Sequence, residues 1–171
     1  MPGYVVSAVT FPGVVVHEFA HYLFCRLAGT AVTEVCYFRL GIPAGYVLHE
    51  RPSNVWKHIV IGVAPFIANT GIGFFVGLFA MSMLFKTGEL GIAVMVLIWL
   101  GISIAMHSFP STGDARAIWN GVWTEGSPFV AKLVAVPFVG VIFLGAIASM
   151  FWFDALYGIA MAVVAPCILL G

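Results

Sequence analysis

The longest uncharged stretch of this chain restricts its fold more than any other feature of the sequence. Between Ile59 and Phe85 there is no Asp, Glu, Lys or Arg. At about 1.5 Å per helical residue, this segment is long enough to cross the roughly 30 Å hydrocarbon core of a bilayer. A soluble domain would have to bury such a segment on all sides. The sequence therefore predicts a membrane-spanning helix.

The composition extends this prediction to the whole chain. Hydrophobic residues make up 62% of the 171 residues and charged residues 8%, against about 25% charged residues in soluble domains. Seven Lys and Arg balance seven Asp and Glu, so we expect no nucleic-acid partner. The 3 cysteines contain no CxxC pair and predict neither a disulfide framework nor a cysteine zinc site. We predict a multi-pass integral membrane protein that is embedded in the lipid bilayer.

The apolar segments and the breaks between them predict an all-α polytopic membrane protein. We expect a bundle of about four to five transmembrane helices, with six as the upper count, and a small β-hairpin at the membrane interface between Ala31 and Glu50. The first four predicted spans are Tyr4–Leu27, Ile59–Phe85, Leu90–Met106 and Leu133–Phe153. Ala155–Leu170 is predicted as a shorter fifth span or a tilted helix that returns across the membrane.

The polar loop after the third predicted span contains a predicted amphipathic helix, Ala115–Trp123, with tryptophans suited to a membrane interface. No separate extramembrane domain is predicted, so residues 1–171 are expected to form a single intramembrane domain.

The basic residues predict the orientation in the membrane. Those between the first and second predicted spans are Arg26, Arg39, Arg51 and Lys57. Arg116 and Lys132 lie between the third and fourth, and only Lys86 lies between the second and third. Because positive residues are enriched in cytoplasmic loops, we expect the hairpin and the polar loop in the cytoplasm and the N-terminus outside. The cell membrane is the expected location.

His17, Glu18 and His21 form an HExxH sequence inside the first predicted span. Residues four apart on a helix lie about 40° from each other on one face, so both imidazoles can bind one zinc ion. Glu18 lies about 100° round the helix, where its carboxylate can act as a general base. Ionisable groups at mid-bilayer cost about 2.5 to 3.5 kcal/mol each, which favours a metal site over two histidines that only pack between helices.

A catalytic zinc site needs a third protein ligand and an open position. The candidates are His49, His58, His107, Asp114 and Asp154, together with the remaining glutamates. Asp114 is favoured because it follows a Pro- and Gly-containing break at the end of an apolar span, where non-helical backbone can line a cavity. The same carboxylate could cap the following helix, and the two roles do not exclude each other.

Four segments in the same order resemble the site-2 proteases, a family of intramembrane zinc metalloproteases. The first is the HExxH, and Pro43–Val47 is similar to the P-x-G-G-Y-V hairpin of that family. Gly62–Asn69 is similar to its A-G-P-x-x-N helix segment. His107–Asp114 aligns with the N-x-x-P…LDG segment at Pro and Asp, with His in place of Asn and a spacing one residue shorter.

This resemblance implies hydrolysis of peptide bonds within transmembrane segments of other membrane proteins. It implies one Zn²⁺ per chain, held by His17, His21 and Asp114, with Glu18 as the general base. Residues expected to contact the substrate are Asn69, His107 and Tyr46. The expected partners are a transmembrane protein substrate and a separate adaptor or regulator. The alternative functions are a non-enzymatic metal-binding scaffold and a metal transporter.

Overall fold

The computed structural model describes residues 3–123 and 127–171. Its helices and strands, in chain order, are α1 (Gly3–Val9), α2 (Phe11–Leu27), β1 (Val32–Cys36), β2 (Tyr46–His49), α3 (Val55–Thr87), α4 (Ile92–Met106), α5 (Thr112–Val122), α6 (Phe129–Ala148), α7 (Phe153–Ile159) and α8 (Ala165–Leu170). The 3₁₀ turn Ser149–Phe151 follows α6, and the π-helical stretch Ala160–Val164 joins α7 to α8.

The predicted fold class is confirmed. Three helical segments are long and apolar enough to cross a membrane, namely Val55–Thr87, Phe129–Phe151 and Phe153–Leu170. The helix Ile92–Met106 is a shorter apolar one. The hairpin is the predicted one, with β1 and β2 antiparallel and Val35 opposite Val47. The protein is therefore a helical membrane protein with one small β-hairpin in the described part of the chain.

The long helix α3 has clear end signals. Asn54 caps its N-terminus, because the Asn54 Oδ1 accepts a hydrogen bond from the Lys57 backbone N–H at 3.0 Å. Gly88 ends it in the left-handed region at φ 68°, a conformation that costs glycine nothing. Pro65 lies inside the helix, which continues through it without interruption.

The first apolar segment is not the single helix that was predicted. It breaks at Thr10, whose side chain donates to the Val6 carbonyl at 2.7 Å and closes α1. Pro12 lies in the first turn of α2, where its missing N–H costs no helical hydrogen bond. The 17 residues of α2 are therefore a separate helix about 26 Å long.

The helices α4 and α5 follow α3 one after the other, in the direction of its N-terminus. Ala105 packs against Gly73, whereas Ile118 packs against Gly62. The chain between them is broken at His107–Ser111, where Pro110 cannot donate a helical hydrogen bond. The observed α5 begins three residues before the predicted amphipathic helix, because Ser111 caps it.

The segments α6 and α7–α8 also follow α3 one after the other, in the opposite direction. Residues of α6 share a buried apolar cluster with Val55 and Ile59, whereas Tyr157 bonds to Thr70 and Ala162 packs against Gly77. The sequence predicts Ala155–Leu170 as a shorter fifth span or a tilted helix that returns across the membrane. Phe153–Leu170 is long and apolar enough for a fifth span, but it continues along α3 in the direction of α6 and does not fold back beside it.

The reason is the kind of break between α6 and α7. Trp152 adopts the left-handed region at φ 62°, which ends the 3₁₀ turn and redirects the chain without reversing it. This break lies beside the one between α4 and α5, because the Phe109 ring is 5.5 Å from that of Phe153 and also contacts Gly145.

The β-hairpin folds back along α2. The Tyr37 ring lies 6.4 Å from both Phe19 and Tyr22, and the Phe38 ring lies 5.8 Å from Phe11 near the start of α2. The segment that follows β1 therefore runs along α2 beside the HExxH sequence, toward the N-terminus of α2. This arrangement places one edge of the hairpin next to the candidate site.

Candidate metal centre

The two histidines of the HExxH sequence are both oriented by main-chain carbonyls. The Nδ1 of His17 is 2.7 Å from the carbonyl of His107, and the Nδ1 of His21 is 3.0 Å from the carbonyl of Ile61. Because a carbonyl can only accept, each Nδ1 carries the proton and each Nε2 keeps a free lone pair. Such carbonyl bonds are the usual outer contacts of metal-binding histidines.

Asp114 meets these histidines from the first turn of α5. Its Oδ1 lies 3.3 Å from the Nε2 of His21. Its Oδ2 accepts hydrogen bonds from the backbone N–H and the hydroxyl of Ser111, at 2.7 and 2.6 Å. Ser111 in turn accepts a bond from the Asp114 N–H at 3.2 Å, which completes a capping box.

Two details of the sequence prediction for Asp114 are corrected by this geometry. Asp114 is helical and does not lie on non-helical backbone, because the capping box brings it into the first turn. Ser111, not Asp114, is the N-cap of α5. The pattern S-x-x-D before the helix could have indicated this arrangement from sequence alone.

The donor atoms of His17, His21 and Asp114 fit a zinc ion. They all lie within 4.8 Å of one another. Zinc bonds of about 2.0 to 2.1 Å in tetrahedral geometry place two donors about 3.3 Å apart, which is the distance observed between His21 and Asp114. Two nitrogen donors and one carboxylate leave the fourth position open, as in catalytic zinc sites. Among the described residues, the other candidate ligands are not members of this group, and Glu125 lies outside the described residues.

Glu18 is next to the donor group but not part of it. Its side chain is 8% exposed and lines a cavity of about 600 Å³ together with His17, His21 and Asp114. A carboxylate in this position can take up a proton from a water molecule inside the cavity. The hairpin backbone packs closely against the Glu18 side chain, because a Cβ at Gly45 would lie 2.6 Å from the Glu18 Cγ.

The close packing of Gly45 against Glu18 leads to a testable prediction. A methyl group in Gly45→Ala would displace Glu18, because the hairpin backbone is also within 3.0 Å at Cys36 and Tyr37. If the site performs the peptide hydrolysis expected from the sequence, we expect bound zinc to stay at the parent level and the hydrolysis rate to fall by about tenfold or more, as for a misplaced catalytic group. Gly41→Ala is the control, because a Cβ there meets nothing closer than 3.7 Å. Equal rates in the two variants would contradict this role of Gly45.

Tyr46 and His107 also line the cavity. The Tyr46 hydroxyl donates a hydrogen bond to Glu34, which raises the pKa of Tyr46, and the Arg39 guanidinium lies 5.1 Å from its ring centre. His107 is buried, and its Nδ1 is 2.9 Å from the carbonyl of Ser103. Its Nε2 has no hydrogen-bond partner. The Nε2 of His107 is therefore an unsatisfied polar atom buried in the wall of the cavity.

Asn69 is not brought into this cavity. Its amide nitrogen donates to the carbonyls of Gly13 and Ile104, at 3.0 and 3.1 Å, and the residue is fully buried. These bonds tie α3 to both α2 and α4, where Gly13 packs directly on the backbone of Ser103. Asn69 thus holds together the helices that carry the site. The contacts of Gly13 and Gly45 were missed at the sequence level, because no local pattern marks a close approach of distant segments.

The fold and the site together define a class of protein. It is a membrane-embedded helical bundle in which two histidines of an HExxH helix and one aspartate converge on a position suited to a zinc ion.

A family model described as "Putative zincin peptidase" matches residues 10–120, which is about two thirds of the chain. The chain belongs to this family of zinc metallopeptidases. No curated protein and no solved structure matches it. The assignment to the site-2 proteases in particular stays a prediction.

Proposed function

We propose that this protein is an intramembrane zinc metallopeptidase that hydrolyses peptide bonds within transmembrane segments of membrane-protein substrates. One observation carries the proposal. The donor group of His17, His21 and Asp114 lies among apolar helices whose outer surfaces suit lipid. A peptidase site surrounded in this way is suited to a substrate that is itself in the membrane.

The residue roles follow from the contacts. His17, His21 and Asp114 would hold one Zn²⁺, which when bound supplies Lewis acidity toward a carbonyl and a water molecule. Glu18 accepts the proton of the attacking water and passes it to the leaving amine. His107 and Tyr46 line the cavity and would contact the substrate from opposite segments, the α4–α5 break and the hairpin.

The hairpin is suited to hold an extended substrate. A substrate helix hides its carbonyls in its own hydrogen bonds, so it must unwind before it can be cleaved. Every residue from Pro43 to His49, including all of β2, lines the cavity. The edge of β2 that does not pair with β1 can therefore bind the unwound segment by main-chain hydrogen bonds.

The alternation of bonds along β2 identifies the groups on this free edge. Ala44 accepts from the Arg39 N–H, and the Glu50 N–H donates to Ala31, so even-numbered residues face β1. Backbone groups alternate along an antiparallel strand, which directs the N–H of Val47 and His49 to the free edge. Val47 is thus the position at which an N–H can be removed without loss of a hairpin bond.

We therefore expect Val47→Pro to raise the KM for a transmembrane substrate by about fivefold to tenfold, the effect of one lost hydrogen bond. Zinc content should not change. Val47→Ala is the matched control, since it shortens the side chain and keeps the N–H. A Val47→Pro variant with the KM of the Val47→Ala variant would rule out strand pairing at this edge.

The function itself is tested in proteoliposomes. The purified protein is reconstituted with a transmembrane peptide that carries a helix-destabilising Gly-Pro pair, and the products are identified by mass spectrometry. We expect cleavage inside the apolar segment, one zinc per chain, and loss of cleavage with a zinc chelator. Cleavage confined to soluble flanking sequences would contradict the intramembrane proposal. Stoichiometric zinc without any cleavage would favour the metal-binding scaffold. Zinc flux across the membrane would favour the transporter.

The distribution of basic residues favours a metal centre on the cytoplasmic side in this proposal. Lys86 is exposed at the end of α3, on the side that would then be extracellular. In a background without the native cysteines, we expect Lys86→Cys to react in intact cells with a membrane-impermeant thiol reagent. Ser53→Cys, exposed before the start of α3, should react only after permeabilisation. The opposite pattern would reverse the orientation.

A further inference from the structure

A groove between α5 and α6 takes no part in the proposed catalysis. Its volume is about 390 Å³. The side formed by α5 carries polar and aromatic residues, and the side formed by α6, called the floor below, is apolar. The residues that line it are Arg116, Trp119, Asn120, Val136, Val139, Gly140 and Phe143. A Cβ built at Gly140 would meet nothing within 4 Å, so the floor of the α5–α6 groove is open.

The charge of this groove is unbalanced. Arg116 is exposed, and no carboxylate in the described part of the chain lies within ion-pairing distance of it. The groove lining contains no acidic residue. A lone guanidinium above an apolar floor selects an occupant that is anionic at one end and apolar along its length.

A second cation lies on α6 one helical turn before the first α6 residue that lines the groove. The Lys132 ammonium lies 5.2 Å from the centre of the Trp123 ring, one helical turn from Val136. Lysine and tryptophan are typical of the membrane interface. Arg116 lies seven residues before Trp123 on α5, about 10 Å along the helix, and its long side chain can extend toward Trp123.

We propose that the α5–α6 groove binds one anionic phospholipid. Its phosphate lies between Lys132 and Arg116, and an acyl chain follows Val136, Gly140 and Phe143. A free phosphate ion would gain nothing from the apolar floor. The inference does not depend on the peptidase proposal, because it concerns binding alone.

Trp119 reports occupancy directly, because it lines the groove and is 42% exposed. The protein is reconstituted in phosphatidylcholine vesicles with increasing fractions of brominated phosphatidylglycerol or brominated phosphatidylcholine. The quenching assigned to Trp119 is the difference between the parent and Trp119→Phe. We expect half-maximal quenching at a several-fold lower fraction of the anionic lipid.

Arg116→Gln should lower this preference about fivefold, the effect of one basic residue on anionic-lipid binding. Lys86→Gln is the matched control, because it removes an exposed charge at the far end of α3 and should leave the preference unchanged. Equal quenching by the two lipids, or an Arg116→Gln variant with the parent preference, would overturn the proposal. The proposal would also be overturned if inorganic phosphate relieved the quenching by the anionic lipid. The same holds if the parent protein formed dimers that the Arg116→Gln substitution dissociates, because the groove would then bind a second copy of the chain.

Discussion

Glu18→Gln is expected to lower the peptidase rate by about 10²- to 10⁴-fold, the range for loss of a general acid–base group. The amide has nearly the shape of the carboxylate but cannot take a proton from water. Zinc should stay bound at the parent level, because Glu18 is not one of the three donors. The measurement is single-turnover cleavage of the transmembrane peptide in proteoliposomes, with zinc determined by elemental analysis of the same samples.

A neighbouring substitution makes this result specific. Phe19→Leu changes an exposed side chain on the same helix and should leave both zinc and rate near the parent values. If Glu18→Gln cleaved as fast as Phe19→Leu, another residue would have to be the base. If Glu18→Gln lost its zinc, the separation between donor group and base would be wrong.

Asp114→Ala is expected to abolish stable zinc binding. Two histidine nitrogens alone do not make a three-ligand catalytic site, and the weakening should exceed the tenfold to hundredfold effect typical of outer contacts. Ser111→Ala removes such an outer contact, the hydroxyl that donates to Asp114 at 2.6 Å, and should weaken zinc within that smaller range. Competition with a fluorescent zinc chelator measures both.

Asp154→Asn is the matched control for the loss of a buried acid. Asp154 is 2% exposed and lies outside the donor group, at the start of α7. Its variant should bind zinc like the parent. If Asp154→Asn lost zinc while Asp114→Ala retained it, the third ligand would be Asp154, and the site described above would be wrong.

The helix α5 contributes residues both to the proposed lipid-binding groove and to the metal centre. α5 carries Asp114 on the side that faces α2, and Arg116 in the groove that faces α6. An anionic lipid at Arg116 would therefore contact the same rigid element as a metal donor. This arrangement gives a physical reason to carry out zinc and cleavage measurements in bilayers of defined lipid composition.

The sequence by itself determined the features that depend on short separations along the chain. The spacing of His17 and His21 places both on one face of a helix, whatever that helix packs against. The uncharged stretch through α3 requires lipid or complete burial, and the turn residues between β1 and β2 specify a hairpin. Each of these conclusions depends on residues within one helix or one turn.

Only the tertiary structure decided which distant residues meet. Five named residues and the remaining glutamates were compatible with the sequence as the third donor, and the break between α4 and α5 brings Asp114 to His21. The course of α6 and α7–α8 along α3 and the exclusion of Asn69 from the cavity also come from packing. The physical reason is that a helix break sets where the chain goes next through contacts with other segments, which no local pattern contains.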